Sequence, residues 1–172
     1  MIQSINAGVQ TSKPLPADIT ASIVMSEKHL LEYGFVIPLI IQTPSALHLP
    51  PKSKPLKSST VMALLDTGAS RTCISNIIAD ELDLEPVGAS RSFTASGVSV
   101  NPDYAVDILF PDAGLKSFEN LKVASCQLPY NPALSGSDKI SRHNYGILIG
   151  RDMMTKWNIV WNGPSSIVFI TE

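Results

Sequence analysis

The stretch A-L-L-D-T-G-A-S, residues 63–70, decides how this chain folds. It leads an apolar strand directly into the carboxylate of Asp66 and then into a Thr-Gly turn. A carboxylate beside a buried strand costs free energy unless it is paired or hydrogen-bonded. We therefore expect Asp66 to have a partner. The rest of the sequence must show which group that partner is.

The composition predicts a single folded domain. Of the 172 residues, 44% are hydrophobic and 16% are charged, which suits a globular protein with a sizeable core. The net charge of −2 gives no reason to expect nucleic acid or an anionic membrane as a partner. The longest apolar run, residues 35–41, is too short to cross a bilayer, and the N-terminus lacks the basic start and apolar core of a secretory signal. We expect a cytoplasmic protein with a flexible segment at residues 1–17 and one domain at 18–172.

The cysteines give no sign of a metal site. Cys73 and Cys126 do not form a C-x-x-C pair, and only three histidines accompany them, so zinc is not expected and no cofactor is implied. The sequence leaves a disulfide open, although a reducing compartment disfavours one. We expect both cysteines to be small buried hydrophobic residues.

Short β-prone runs separated by turn residues predict an all-β fold, a barrel or folded sheet with one or two short helices. The predicted strands are residues 19–25, 33–42, 60–65, 71–74, 104–110, 121–125, 145–150, 157–161 and 166–171. Pro38 favours an edge position or a bulge for the strand that contains it. Residues 90–100 predict a hairpin with A-S-G, residues 95–97, at its tip. Prolines and polar residues predict loops at 43–58 and 126–144.

Two segments have helical character. Residues 75–82 show helical spacing, with Ser75 or Asn76 as the N-cap. Residues 151–156 suit one or two helical turns.

Two motifs point to chemistry when they are taken together. The first is D-T-G at residues 66–68, and the second is I-L-I-G-R-D at residues 147–152. A lone tripeptide is weak, but here an apolar strand precedes each motif and Gly68 permits a tight turn. The hairpin at 90–100 lies between them in sequence and could fold over a cleft.

On residues 64–70, 94–97 and 147–152, the sequence resembles the retropepsin-like aspartic peptidases, over about residues 34–162. It is more similar to the single-domain members than to the two-lobed pepsins, because it has one Asp-Thr-Gly motif. The resemblance implies a closed or folded all-β sheet, a homodimer and a peptide or protein substrate. The missing partner of Asp66 would be Asp66 of the other subunit. A residue that lies near a two-fold axis is next to its own copy in the second subunit.

The resemblance also implies the reaction. Two carboxylates a few ångströms apart do not both ionise readily, so they share one proton. The ionised one can take a proton from water, and the protonated one can donate a hydrogen bond to the substrate carbonyl. The chain would then be an aspartic endopeptidase that works by general acid–base catalysis.

Site residues follow from the resemblance. The catalytic residues would be Asp66, Thr67 and Gly68, with Thr67 reaching across the subunit interface. The substrate-binding residues would be Ala69, Ser70, Cys73, Phe93, Ala95, Ser96, Gly97, Ile147 and Leu148. Residues 95–97 would form the tip of a flap that closes over the substrate. The apolar walls, Cys73, Ile147 and Leu148, would favour hydrophobic side chains at the scissile bond.

Arg151 and Asp152 would support the site. Arg151 is implied to hold the active-site loop from a helix. Retroviral enzymes usually carry an acidic residue where this chain has Ser70, and that residue would pair with the arginine. Asp152 with Arg71 is the substitute pair that the sequence offers.

Three alternatives remain open from the sequence. The domain could be a dimeric peptide-binding or scaffold module without activity, since fold does not fix function. It could be a peptidase whose only substrate is its own precursor. Asp66 could also be a structural residue that stabilises a turn.

Overall fold

The computed structural model describes residues 3–7, 21–45, 55–94, 97–111, 113–134 and 144–172. Strands dominate these ranges and the helices are short, so the all-β prediction is confirmed. The strands are β1 Gln3–Ala7, β2 Ala21–Met25, β3 Val36–Gln42, β4 Ser58–Leu65, β5 Cys73–Ser75, β6 Gly88–Thr94, β7 Gly97–Leu109, β8 Phe118–Cys126, β9 Ile147–Ile149, β10 Asn158–Asn162 and β11 Ile167–Thr171. The helices are α1 Glu27–Tyr33, α2 Asn76–Glu81 and α3 Arg151–Met154, with 3-10 turns at Pro132–Leu134 and Gly163–Ser165. In this described part of the chain, no helix has the length and apolar character needed to span a membrane.

The main sheet closes on itself. Its strand order is β3-β4-β9-β5-β8-β7-β6, and β7 also pairs with β3, so that six strands form a ring of pairings. The β3–β7 pairing joins residues 40–42 to 107–109. Pro38 pairs with Met62 of β4 and lies on a part of β3 that β7 does not reach. Among the described residues, no strand pairs with the other side of β3 at Pro38, as the predicted edge position requires.

A second sheet of four strands has the order β1-β2-β11-β10. Strand β1 runs parallel to β2, and β11 runs antiparallel to both β2 and β10. Strand β1 lies in the segment 1–17, which the sequence predicts to be a flexible lead-in, so that prediction missed a strand. A five-residue polar strand carries little apolar signal, and its pairing with β2 becomes visible only in the fold. The rest of segment 1–17 lies outside the described residues.

The core lies inside the ring of strands. Alternate residues of β3 point inward, and Ile37, Leu39 and Ile41 are fully or almost fully buried. An aromatic group extends this core, with Trp157 packed edge-to-face against Phe110 at 5.6 Å and Phe118 at 5.9 Å between ring centroids. Such contacts hold α3, which ends three residues before Trp157, against the sheet.

Two boundaries differ from the predictions. Helix α1 was not predicted, and the strand expected from residue 33 begins only at Val36. The helix ends at Tyr33, and the next residue, Gly34, has a φ of +70°, which suits a glycine that follows a helix. The hairpin strand and the strand predicted at 104–110 form one continuous strand, β7, with a register shift between Val106 and Ile108.

Asp107 is a buried carboxylate where the ring of strands closes. Its side chain accepts hydrogen bonds from the Asn120 backbone N–H at 2.8 Å, from the Ser45 N–H at 2.8 Å and hydroxyl at 2.6 Å, and from the Gln42 amide at 3.3 Å. Burial alone would raise the pKa of Asp107, but these donors outweigh it and hold the pKa below its ordinary value. The folded state therefore favours the ionised form.

We expect acid to destabilise the protein through Asp107. A carboxyl whose pKa is lower in the folded state stabilises the fold above its unfolded pKa of about 4, and this stabilisation is lost as the pH falls through the folded pKa. Asp107→Asn should lower the free energy of unfolding by about 1–3 kcal/mol at pH 7. Between pH 5 and 3, the free energy of unfolding should decrease less steeply in this variant than in the wild type. Thermal unfolding at each pH measures both effects, with the exposed Asp80→Asn as the control. An acid dependence as steep in Asp107→Asn as in the wild type would contradict this.

Candidate active site

The loop that carries Asp66 crosses the end of β9. Strand β9 lies between β4 and β5, parallel to β4 and antiparallel to β5, so the chain passes over its end to go from one to the other. The Asp66 N–H donates to the Ile149 carbonyl at 3.0 Å, and the Arg151 N–H donates to the Ala69 carbonyl at 3.0 Å. The D-T-G motif and the I-L-I-G-R-D motif, distant in sequence, are thus in direct contact.

A tight turn orients the carboxylate of Asp66. The Gly68 N–H donates to Asp66 Oδ1 at 2.8 Å, and the Ala69 N–H donates to the Asp66 carbonyl at 3.1 Å. The Asp66 side chain is half-buried, whereas Thr67 and Gly68 are exposed. The hydrogen bond from Gly68 fixes the orientation of the carboxylate at the surface of the loop.

Arg151 holds this loop from the first residue of α3. Its guanidinium donates to the Thr67 carbonyl at 2.6 Å and to the Gly68 carbonyl at 3.2 Å. One side chain thus binds two consecutive carbonyls beside Asp66, which is the kind of contact that the resemblance implies for this arginine.

Asp152 binds Thr72 and not Arg71. Both Asp152 carboxylate oxygens lie 2.9 Å from the Thr72 N–H, and Oδ1 lies 2.8 Å from the Thr72 hydroxyl. The same hydroxyl accepts the Gly150 N–H at 3.1 Å. The prediction that Arg71 pairs with Asp152 is therefore wrong. Neighbouring side chains on an extended chain point to opposite sides, so Arg71 and Thr72 cannot both face Asp152. Thr72 faces α3, and Arg71 faces the other way.

Arg71 instead meets Asp103, a carboxylate that is only 1% exposed. The Ser90 hydroxyl donates to Asp103 at 2.7 Å, and Lys122 and Arg71 form ion pairs with it at 3.1 and 3.4 Å. Burial would raise the pKa of Asp103, but the Ser90 hydroxyl and the two cations outweigh it and keep the pKa below its ordinary value. Asp103 therefore fixes Arg71 and Ser90 in the wall of the cleft described next.

A cleft of about 750 Å³ lies between the Asp66 loop and the β6–β7 hairpin. It is lined by Asp66, Gly68, Ala69, Ser70, Arg71, Cys73, Asn76, Ser90, Arg91, Ser92, Phe93, Ser99, Asn101, Ala124, Cys126, Gln127, Leu128 and Leu148. Seven of these are among the site residues predicted from the sequence: Asp66, Gly68, Ala69, Ser70, Cys73, Phe93 and Leu148. Half of the predicted site residues thus lie around one open cavity.

Ile147 does not belong to this site. It is 0% exposed and packs in the core, so its prediction as a substrate-binding residue is wrong. In β9, Ile147 and Ile149 point into the core, and only Leu148 points to the cleft. A three-residue apolar strand hides this alternation in the sequence.

The predicted hairpin is present as strands β6 and β7. Thr94 pairs with Gly97, and the predicted tip residues Ala95 and Ser96 lie outside the described residues. Gly97 has a φ of +125°, which only glycine adopts readily. Phe93, which pairs with Val98, is 80% exposed at the cleft.

The sequence missed the polar part of the cleft. The residues not predicted include Arg71, Ser90, Arg91, Asn101, Cys126 and Gln127. Strand β8, which contributes Cys126, lies next to β5 only because the sheet folds in this order. No local motif marks these residues.

No protein-family model matches this chain, and no curated protein matches it. Among solved structures, the chain is similar to a retropepsin-like aspartic protease from Rickettsia conorii, with 15% identity and a TM-score of 0.42, over 78% of this chain and 88% of that one. The assignment of a function depends on the geometry of the site itself.

Proposed function

We propose that this chain is an aspartic endopeptidase that acts as a homodimer, with one Asp66 from each subunit in a shared site. The observation that carries the proposal is the position of Asp66. Its carboxylate ends a buried strand, is oriented by the Gly68 N–H at 2.8 Å, and lines an open cleft. A half-buried carboxylate that is held in this way can take a proton from a water molecule.

The composition of the cleft supports a second subunit. Among the described residues that line it, Asp66 is the only acidic one. Acid–base hydrolysis of a peptide bond needs a group that accepts the proton of water and a group that donates a proton or hydrogen bond to the carbonyl. A two-fold axis near the loop would supply a second Asp66, and the pair would titrate as a unit.

Exposed apolar residues near the loop also support a dimer. On β10, an edge strand of the smaller sheet, Val160 and Trp161 are 59% and 64% exposed. The Trp161 ring packs edge-to-face on Phe35 at 5.3 Å, and the Phe35 carbonyl accepts the N–H of Leu65 at 2.8 Å, one residue before Asp66. A second copy that covers this surface would lie beside the Asp66 loop.

The walls suggest which peptides the site would accept. Leu148, Cys73 and Phe93 are the apolar candidates for contact with a hydrophobic side chain at the scissile bond. Arg71 and Arg91 bring positive charge to the same cleft. We propose extended peptides, or exposed protein segments in the cytoplasm, as substrates. The β6–β7 hairpin would close over them and exclude water.

The direct test is cleavage of a peptide library between pH 4 and 8, read by mass spectrometry, with the mass of the protein measured in solution. The proposal predicts a dimer that cuts peptides. A dimer that binds peptides without cutting any of them at any pH would favour the scaffold alternative.

Trp161→Glu should separate the subunits. A carboxylate on an apolar interface residue opposes association, so we expect a shift from dimer to monomer and at least a tenfold loss of cleavage at low protein concentration. Sedimentation and circular dichroism measure association and folding separately. Val87→Glu places the same charge at another exposed apolar position and serves as the control. If the Trp161→Glu protein stays dimeric, β10 is not part of the dimer interface.

A further inference from the structure

The two cysteines of this chain meet in the wall of the cleft. Their Sγ atoms lie 2.9 Å apart, and both thiols are free. Cys73 of β5 pairs with Ala124 of β8, and Cys126 lies two residues further along the same strand. Residues two apart on a strand point to the same face, so both thiols face the cleft.

The strands that carry the thiols are already fixed in position. Strands β5 and β8 are in register over three pairs, and the Ala124 N–H donates to the Thr72 carbonyl at 3.2 Å. The sulfur atoms of a disulfide lie about 2.05 Å apart, so the thiols need to approach by less than about 1 Å. Side-chain rotation together with a small shift of the strand backbone would supply such a movement without a change of strand register.

We propose that Cys73 and Cys126 are a reversible disulfide site in the cleft wall, oxidised by small hydroperoxides. Both residues are half-buried and line an open cavity, so a small oxidant can reach them. This proposal does not depend on peptidase activity. It differs from the expectation that both cysteines are simply small core residues.

The reaction is a two-electron oxidation in two steps. The thiolate of Cys126 attacks the terminal peroxide oxygen, the O–O bond breaks, and Cys126 becomes a sulfenic acid. The leaving alkoxide or hydroxide takes up the proton that the Cys126 thiol lost and departs as an alcohol or water. The Cys73 sulfur then attacks the sulfenic sulfur, and its thiol proton leaves with the hydroxide as water. In sum, two thiols and one hydroperoxide give a disulfide, an alcohol and a water molecule.

The order of the two steps follows from the environment of each thiol. The hydrogen bond with Cys126, burial, and the negative charges of Cys126 and Asp66 raise the pKa of the Cys73 thiol. The same hydrogen bond lowers the pKa of Cys126. Because the thiolate is the nucleophile, Cys126 should react first and Cys73 should resolve the intermediate.

The test uses the full-length reduced protein and hydrogen peroxide. Because the chain has two cysteines, an intramolecular disulfide appears as a monomer about 2 Da lighter with both thiols lost. Peptide mapping without reductant should join the peptides of Cys73 and Cys126. The bond would connect residues that are 53 positions apart, so we expect the Tm to rise by about 10 °C and to return with reductant.

Single variants assign the order of reaction. Cys73→Ser should leave a sulfenic acid on Cys126 that a dimedone-type reagent traps, whereas Cys126→Ser should react at least tenfold more slowly. Disulfides only between chains, or sulfinic acids without a disulfide, would overturn the proposal. All these readouts are masses and melting temperatures, so a failure of the proposed peptidase activity would leave the result unaffected.

Discussion

We expect Asp66→Asn to lower kcat for peptide cleavage by at least about 10³-fold. General acid–base catalysis contributes about 10²–10⁴-fold, and the variant lacks the carboxylates that would perform it in the shared site. Asparagine has nearly the same shape as aspartate, and its side-chain oxygen can still accept the Gly68 N–H that now binds Asp66 Oδ1 at 2.8 Å. It cannot take a proton from water. The loss should therefore concern the reaction and not the fold.

The measurement compares kcat and KM for wild type and variant on one cleaved peptide, together with Tm and the mass in solution. We expect KM to change little and the dimer to persist. Asp80→Asn makes the same chemical change at an exposed position of α2 and should retain full activity. Cleavage that survives in Asp66→Asn would mean that Asp66 only stabilises a turn.

The largest effect on stability is expected from Gly150→Ala. A Cβ atom at Gly150 would lie 2.3 Å from the Arg71 carbonyl carbon, 2.6 Å from its oxygen and 2.7 Å from the Thr72 nitrogen. These are backbone atoms, so no side-chain rotation can relieve the overlap. Overpacking of this kind should cost about 3 kcal/mol or more in the free energy of unfolding.

The same substitution should disturb the site. Gly150 donates to Thr72 Oγ1, and Thr72 binds Asp152, so the two chain segments that meet below the Asp66 loop would separate. Denaturant unfolding measures the loss of stability, and peptide cleavage below the Tm measures the effect on the site. At Gly163, a Cβ would have Trp161 Nε1 as its nearest atom, at 3.8 Å, so Gly163→Ala should change stability by less than about 0.5 kcal/mol. Equal stability of the two variants would contradict the close approach at Gly150.

The core of the site could be predicted from sequence because its signals are local. The apolar run before Asp66 has to end where the carboxylate begins, and the structure ends β4 at Leu65. Helix α2 begins at Asn76 with the Ser75 hydroxyl accepting the Ile77 N–H, as a serine N-cap requires. Gly150 ends the second apolar strand and allows the chain to contact Arg71 closely.

The rest depends on contacts that only the fold creates. Asp103 and Arg71 are 32 positions apart and meet because β8 pairs with β5 and β7 pairs with β8. The two thiols meet for the same reason. Ile147 was assigned to the cleft because a three-residue apolar strand does not show which of its faces is buried. Pairwise contacts between distant strands leave no local pattern to read.

The central claim is that two chains share one site, and mixing subunits tests it most directly. Asp66→Asn chains are added to a fixed amount of wild type, exchange is allowed to finish, and native mass spectrometry confirms mixed dimers. If each dimer needs both Asp66 carboxylates, an equal amount of variant should reduce cleavage to about half, and a threefold excess to about a quarter. Cleavage that stays constant while mixed dimers form would show that each chain works alone and would contradict the shared site.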